Sequence, residues 1–150
     1  MASNFFGFVG QEDRIGLIKK MHLAGKRSHT LLSGPPGTGK TTLANILSGG
    51  NLFTMVGNQV NRPDKLAVML QAMLEQKVDT LFIDEVHSAR PAGLEFLYPV
   101  MEEGKFYAFG TEYDCDVYVI AATTDPGLLP KPFRDRFGVE VRLRDYNIEE

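Results

Sequence analysis

The sequence predicts an α/β fold, a parallel sheet sandwiched between helices. Three observations predict it. Strand and helix signals alternate along the chain. The short strand Thr30-Leu31-Leu32-Ser33 ends at a glycine-rich turn that opens a helix. Thr80-Leu81-Phe82-Ile83 is a strongly apolar run ending at a carboxylate, the pattern of a strand covered on both faces.

The elements follow in order. Gln11 to Gly25 carries Ile15, Leu17, Ile18, Met21 and Leu23 at near-helical spacing, and Gly25 suits its stop. After the Thr30–Ser33 strand, Lys40 to Ser48 reads as a helix burying Leu43, Ala44, Ile46 and Leu47 and ending at Gly49-Gly50. Leu52 to Val56 is a second strand. Arg62-Pro63-Asp64 opens a helix whose apolar face is Leu66, Val68, Met69, Leu70, Met73 and Leu74. Thr80–Ile83 is the third strand. A helix from about Ala92 to Glu103 follows, with a kink or break expected at Pro99. Lys105 to Phe109 and Asp116 to Ala121 read as strands around Gly110-Thr111-Glu112. A short helix, Lys131 to Arg136, and a last strand, Val139 to Leu143, complete the pattern. Asn147-Ile148-Glu149-Glu150 has an N-cap residue and a glutamate three positions later. It reads either as a frayed acidic tail or as the start of a helix belonging to a further domain.

Composition narrows the function classes. A chain of 150 residues with 43% hydrophobic and 23% charged residues is expected to be one globular domain. One cysteine, Cys115, excludes a disulfide within one chain and a cysteine-only metal site. Cys115 is expected to be an unreactive thiol. No apolar run reaches the ~20 residues that span a bilayer, and no signal peptide is expected. The net charge of −3 gives no global basic field, so nucleic acid would have to meet a local patch. Lys19, Lys20, Lys26 and Arg27 are such a cluster, or simply a solvated helix face. Phe5, Phe6 and Phe8 are expected to pack rather than bind ligand.

Gly34-Pro35-Pro36-Gly37-Thr38-Gly39-Lys40-Thr41 matches G-x-x-x-x-G-K-S/T in full, after a strand and before a helix as the mechanism requires. Glycines let the backbone wrap a phosphate, and amides with a helix N-terminus supply positive potential. Lys40 is expected on the β- and γ-phosphates of ATP and Thr41 on Mg²⁺. The run Leu81 to Glu85 places Asp84 at the end of a buried strand, suited to hold Mg²⁺ through its water shell. Glu85 would orient or deprotonate an attacking water. Ala121-Ala122-Thr123-Thr124-Asp125 offers a polar side chain to the γ-phosphate or the water. In Phe133-Arg134-Asp135-Arg136-Phe137, the arginines are either surface partners of Asp135 or a finger for a neighbouring subunit's phosphate. The three histidines lack metal-ligand spacing, and His87 is expected to be structural.

Together these segments resemble the AAA+ ATPases, and within them the RuvB family of Holliday-junction branch-migration motors. The resemblance rests on Phe8-Val9-Gly10-Gln11-Glu12, Gly34 to Asn45, Leu81 to His87, Leu97-Tyr98-Pro99-Val100-Met101-Glu102, Ala122-Thr123-Thr124 and Arg134 to Gly138. It implies a P-loop three-layer α/β/α sandwich with a five-stranded parallel sheet of order 5-1-4-3-2, spanning residues 1–150, and ring assembly. It implies ATP and Mg²⁺ as ligands, with Pro36, Gly37, Thr38, Gly39, Lys40, Thr41 and Thr42 around the phosphates and Val9 and Gly10 against adenine. Thr124 becomes the sensor residue and Arg136, ahead of Arg134, the intersubunit finger.

The sequence also departs from that family. The connection Gly104 to Val117 is shorter than the hairpin that docks RuvA, with Gly110-Thr111-Glu112 at its tip, so RuvA-type docking is not expected. The helical lid and winged-helix domain are not expected within these residues. The expected function is that of a cytoplasmic ATPase core acting in DNA processing, with DNA or a DNA-bound protein as partner. The rival is a nucleotide-dependent binding module with little hydrolysis. A small-molecule kinase fits less well, because Asp84-Glu85 and the arginines look like water activation.

Overall fold

The computed structural model describes residues 28–143. The predicted helix over 11–25, the Phe5–Gly10 segment, the basic cluster of residues 19–27 and the 147–150 tail lie outside the described residues. The strands are β1 (Thr30–Ser33), β2 (Leu52–Val56), β3 (Thr80–Asp84), β4 (Lys105–Ala108), β5 (Thr111–Asp114), β6 (Tyr118–Thr123) and β7 (Val139–Arg142). The helices are α1 (Lys40–Ser48), α2 (Pro63–Glu75), α3 (Pro91–Glu103) and α4 (Lys131–Arg134).

Five strands form one parallel sheet in the order β2-β3-β6-β1-β7. Numbered among themselves along the chain, they read 5-1-4-3-2 from the opposite edge, as the resemblance implies. Register then aligns the functional ends. Ser33 pairs with both Thr123 and Arg142, Ile83 with Ala121, and Val56 with Asp84. The carboxyl ends of β1, β3 and β6 therefore share one edge, where ligands of open α/β sheets bind.

Strand side chains alternate between two cores. Leu31, Leu81, Ile83, Val119 and Ala121 pack with Leu66, Leu70 and Met73 of α2 and Leu94 and Leu97 of α3. Leu32, Phe82, Ile120, Ala122 and Val141 pack with Leu43, Ala44 and Leu47 of α1 on the other face. This burial on both faces explains why β3 and β6 read as continuous apolar runs.

Several expectations are corrected. An additional strand, β5, stands between the two expected over 105–109 and 116–121; it pairs antiparallel with β4, and the turn between them is Phe109-Gly110. Both turn residues have positive φ, 54° and 72°, the geometry of a tight two-residue hairpin. Thr111 and Glu112 belong to β5 rather than the tip. Pro99 does not break α3, which runs through it for 13 residues. The proline removes one N–H, and its would-be acceptor residue Glu95 is exposed to water, while Leu94, Leu97 and Val100 stay packed. α4 stops at Arg134, so Asp135 and Arg136 lie beyond the helix. Val68 is 56% exposed and does not belong to the buried face of α2. Cys115 is free and buried, and burial pushes its thiol up to about 11, as an unreactive cysteine requires.

Candidate functional site

The carboxyl edge of the sheet holds a cavity of about 520 Å³ lined by Pro36, Gly37, Thr38, Gly39, Lys40, Thr41, Asp84, Glu85, Thr123 and Thr124. β1 delivers the glycine-rich loop and α1 leaves from it. Gly34 donates its N–H to the Thr123 carbonyl (3.2 Å), tying the loop to the end of β6. A Cβ at Gly34 would lie 2.4 Å from the Leu143 carbonyl oxygen, so only glycine fits there. No side chain caps α1 at Gly39. The amides of its first turn are thereby left for an anion, which the helix dipole also favours.

Lys40 is the cation of this cavity. Its Nζ donates to the carbonyls of Gly34 (2.5 Å) and Pro35 (3.1 Å). Burial holds its pKa below the usual lysine value, with Asp84 acting in the opposite direction. Thr41, which also lines the cavity, and Asp84 offer hard oxygen donors, suited to Mg²⁺. The described residues contain no cluster of three histidine, cysteine or carboxylate groups able to hold a metal. A cation here would be shared between two side chains and phosphate oxygens, as Mg²⁺ commonly is.

Glu85 adopts a left-handed backbone conformation, φ 51° and ψ 46°, uncommon for a residue with a side chain. Three contacts hold it there. Its N–H donates to Asp84 Oδ1 (2.9 Å), and its carbonyl accepts from the N–H (3.0 Å) and Oγ (2.8 Å) of Ser88. Gly57 makes room for that carbonyl, since a Cβ at 57 would lie 2.0 Å from it. Thr123, also in the cavity lining, is buried at the end of β6, and its Oγ1 is 2.9 Å from His87 Nδ1. His87 thus links the turn after β3 to the end of β6, while the neighbouring Thr124 lies exposed in the cavity wall.

The arginines stand elsewhere. Neither lines this cavity. Neither pairs with Asp135, which bonds Lys131 instead (2.6 Å), so the simple Arg–Asp135 surface pair is not what forms. Arg134 pairs with Glu140 (3.0 Å) and borders an adjacent cavity shared with Gly34, Thr124 and Arg142. Arg136 lies over the Tyr98 ring, 3.7 Å from its centroid, and pairs with Glu102 (2.9 Å).

The structure thus brings together the predicted residues Pro36 to Thr41, Asp84, Glu85 and Thr124, and leaves Thr42, Arg134 and Arg136 outside the cavity. Val9 and Gly10 lie outside the described residues. Sequence reading missed Gly57, Ser88 and the linking role of His87. Their significance is a matter of contacts between segments, and no local pattern marks it.

Comparison with known proteins gives the family and the fold. The family described as the Holliday junction DNA helicase RuvB P-loop domain matches residues 3–143. The Holliday junction branch migration complex subunit RuvB of Campylobacter lari is 40% identical over 169 aligned positions, covering 99% of this chain and 48% of that protein. The Campylobacter jejuni subunit is also 40% identical, with 99% and 49% covered. The chain spans about half the length of these curated relatives. The solved Thermotoga maritima RuvB Holliday junction branch migration motor aligns with a TM-score of 0.78 at 33% identity, covering 95% of this chain and 48% of that one. The S. cerevisiae Hsp104–ADP complex has a TM-score of 0.75 at 16% identity over 95% of this chain and 35% of its own, and shares the fold alone.

Proposed function

The chain belongs to the RuvB P-loop family, and from that premise we propose that it binds Mg²⁺·ATP and hydrolyses it as the motor core of a DNA-processing assembly. One observation carries the reading. A glycine-rich loop before a helix N-terminus, a lysine, an acidic pair and a threonine strand end converge on one cavity.

In this reading the loop amides from Pro36 to Gly39 and the Lys40 ammonium hold the phosphates of ATP. Thr41 and Asp84 would hold Mg²⁺, Asp84 through its water shell, and the bound ion would supply neutralisation of phosphate charge. Thr42, next on α1, is proposed for the phosphates as well, although it does not line the cavity. Glu85 accepts the proton of the attacking water as the γ-phosphoryl leaves ADP, and Thr124 orients that water or the γ-oxygens. Adenine falls to Val9 and Gly10. Arg136, with Arg134 as the lesser candidate, serves the nucleotide of a second copy, because neither reaches its own cavity. Such a trans contact needs at least a second copy, and a ring of copies acting on DNA or a DNA-bound protein is the assembly we propose.

The short β4–β5 hairpin makes docking of a RuvA-type partner there no part of the proposal. The proposed location is the cytoplasm. No helix among the described residues is long and apolar enough to cross a membrane.

The test is the steady-state ATPase rate against protein concentration, with and without branched DNA, for the wild type and Glu85→Gln. The expected result is a specific activity that rises with concentration. Glu85→Gln should keep ATP binding and lose hydrolysis. A monomer by light scattering whose rate does not depend on concentration would favour the nucleotide-dependent binding module. An active Glu85→Gln would place the catalytic carboxylate elsewhere.

A further inference from the structure

Arg136 is an unusual arginine. Its side chain is only 21% exposed, yet its surroundings do not satisfy it. Nη1 donates to the Pro132 carbonyl (2.6 Å), Nη2 pairs with Glu102, and the buried Nε has no partner. An arginine kept only for stability gains nothing from a buried N–H without an acceptor. Its position is nonetheless fixed from several sides. The Arg136 N–H bonds the Phe133 carbonyl (3.1 Å). Phe133 is fully buried, and its ring meets that of Phe137 edge-on at 5.0 Å, so packed residues bracket Arg136 in the chain.

The other wall comes from α3. Tyr98 and Glu102 are four residues apart and so share one helix face. The guanidinium carbon lies 3.7 Å from the centroid of the Tyr98 ring, close enough for a cation–π contact that favours this placement. Of its five N–H groups, one on Nη1 makes a hydrogen bond, to Pro132, while Nη2 meets Glu102 as an ion pair, so both terminal nitrogens keep donors to offer. Glu102 is about half exposed, so water can take over its carboxylate when a stronger anion claims the guanidinium.

We infer that Tyr98 is a positioning residue for Arg136, holding its guanidinium in the plane from which it reaches the nucleotide phosphate of a second copy of this chain. The inference rests on the reading of Arg136 as a residue acting between copies. A flexible arginine must be ordered each time it engages, whereas one stacked on a ring is already oriented. Tyr98 touches neither nucleotide nor water in this role; it acts through Arg136.

The experiment uses mixed assemblies of the full chain in which only one kind of site turns over. Arg136→Ala subunits bind ATP but supply no arginine, and Lys40→Ala subunits supply the arginine but stay largely empty at ATP concentrations that fill the Arg136→Ala sites. Mixed, they should regain ATPase activity. Tyr98→Leu is then placed in one subunit type at a time. In the Lys40→Ala subunit, which donates the arginine, it should lower the recovered rate between about twofold and thirtyfold, the range of a lost cation–π contact. In the Arg136→Ala subunit it should leave that rate within about twofold, and Tyr98→Phe, which keeps the ring, should restore activity in the donor.

Equal losses in both subunit types would show that Tyr98 serves only the fold and would overturn the inference. So would no loss in the donor. Mixtures of the two parent variants that never regain activity would instead overturn the intersubunit reading of Arg136, and the inference with it.

Discussion

Gly34 to Thr41 and the surroundings of Arg136 offer the same kind of chemistry, cationic donors for phosphate, in opposite ways. The first is one continuous segment. Its glycines set the backbone, the helix behind it sets the amides, and Lys40 follows at once. The second is assembled from α3, α4 and the turn after α4, and its guanidinium is committed to Tyr98, Glu102 and Pro132. A loop of the first kind works within one copy. An arginine of the second kind lies off its own cavity, and its proposed work lies in another copy. The difference teaches that the donors of a loop can be set by local backbone geometry, whereas the placement of a packed arginine depends on how distant segments meet.

Mutations can break or sharpen that contrast. The largest effect is expected on rate, from Arg136→Ala. ATP affinity should change by less than about twofold, while turnover falls by on the order of 10³-fold, as loss of a trans arginine does. The check pairs calorimetry with steady-state kinetics, and a proportional fall in both would erase the distinction between the two regions. Lys40→Ala should act on binding, weakening Mg²⁺·ATP by about a hundredfold through lost charge-assisted bonds. Unchanged affinity in calorimetry would remove the phosphate-loop assignment.

A smaller, more local effect is expected from Gly57→Ala. The new methyl must displace the Glu85 carbonyl, at a cost of about 1–3 kcal/mol in stability. ATP should still bind, and hydrolysis should fall because Glu85 has moved; chemical denaturation and single-turnover kinetics would separate the two. Hydrolysis at the wild-type rate would mean that the left-handed geometry of Glu85 is incidental. The smallest effect belongs to Arg134→Ala. It removes a partly exposed pair with Glu140 and should cost under ~1 kcal/mol, with ATP affinity unchanged. A rate loss matching that of Arg136→Ala would reverse the ranking of the two arginines.

Legibility followed the same divide. Strands β1, β2 and β3 and helices α1 and α2 stand within a residue or so of where periodicity and breakers place them, because each answers to its own local pattern. The phosphate loop and Asp84-Glu85 were readable for that reason. β5 was not, since Thr111-Glu112-Tyr113-Asp114 has little apolar alternation and is held by pairing to β4. The break offered at Pro99 does not form, since tertiary packing of α3 outweighs one missing N–H. Tyr98 and Glu102 entered through family resemblance, but nothing in the chain order ties them to Arg136. Gly57 carries no signal that separates it from any other glycine before a turn.

Cys115 gives the molecule a practical property. With its pKa raised from 9.0 to about 11, its reactive thiolate at neutral pH is about a hundredfold scarcer than in an ordinary cysteine, and the side chain is only 2% exposed. Stability tied to the neutral thiol is complete below about pH 9 and is lost as pH rises through about 11. Maleimide chemistry at neutral pH should therefore leave the native chain unmarked. A cysteine introduced at the exposed hairpin tip would become a uniquely addressable handle, so that fluorophores could report the approach of one copy to another without first deleting the natural thiol.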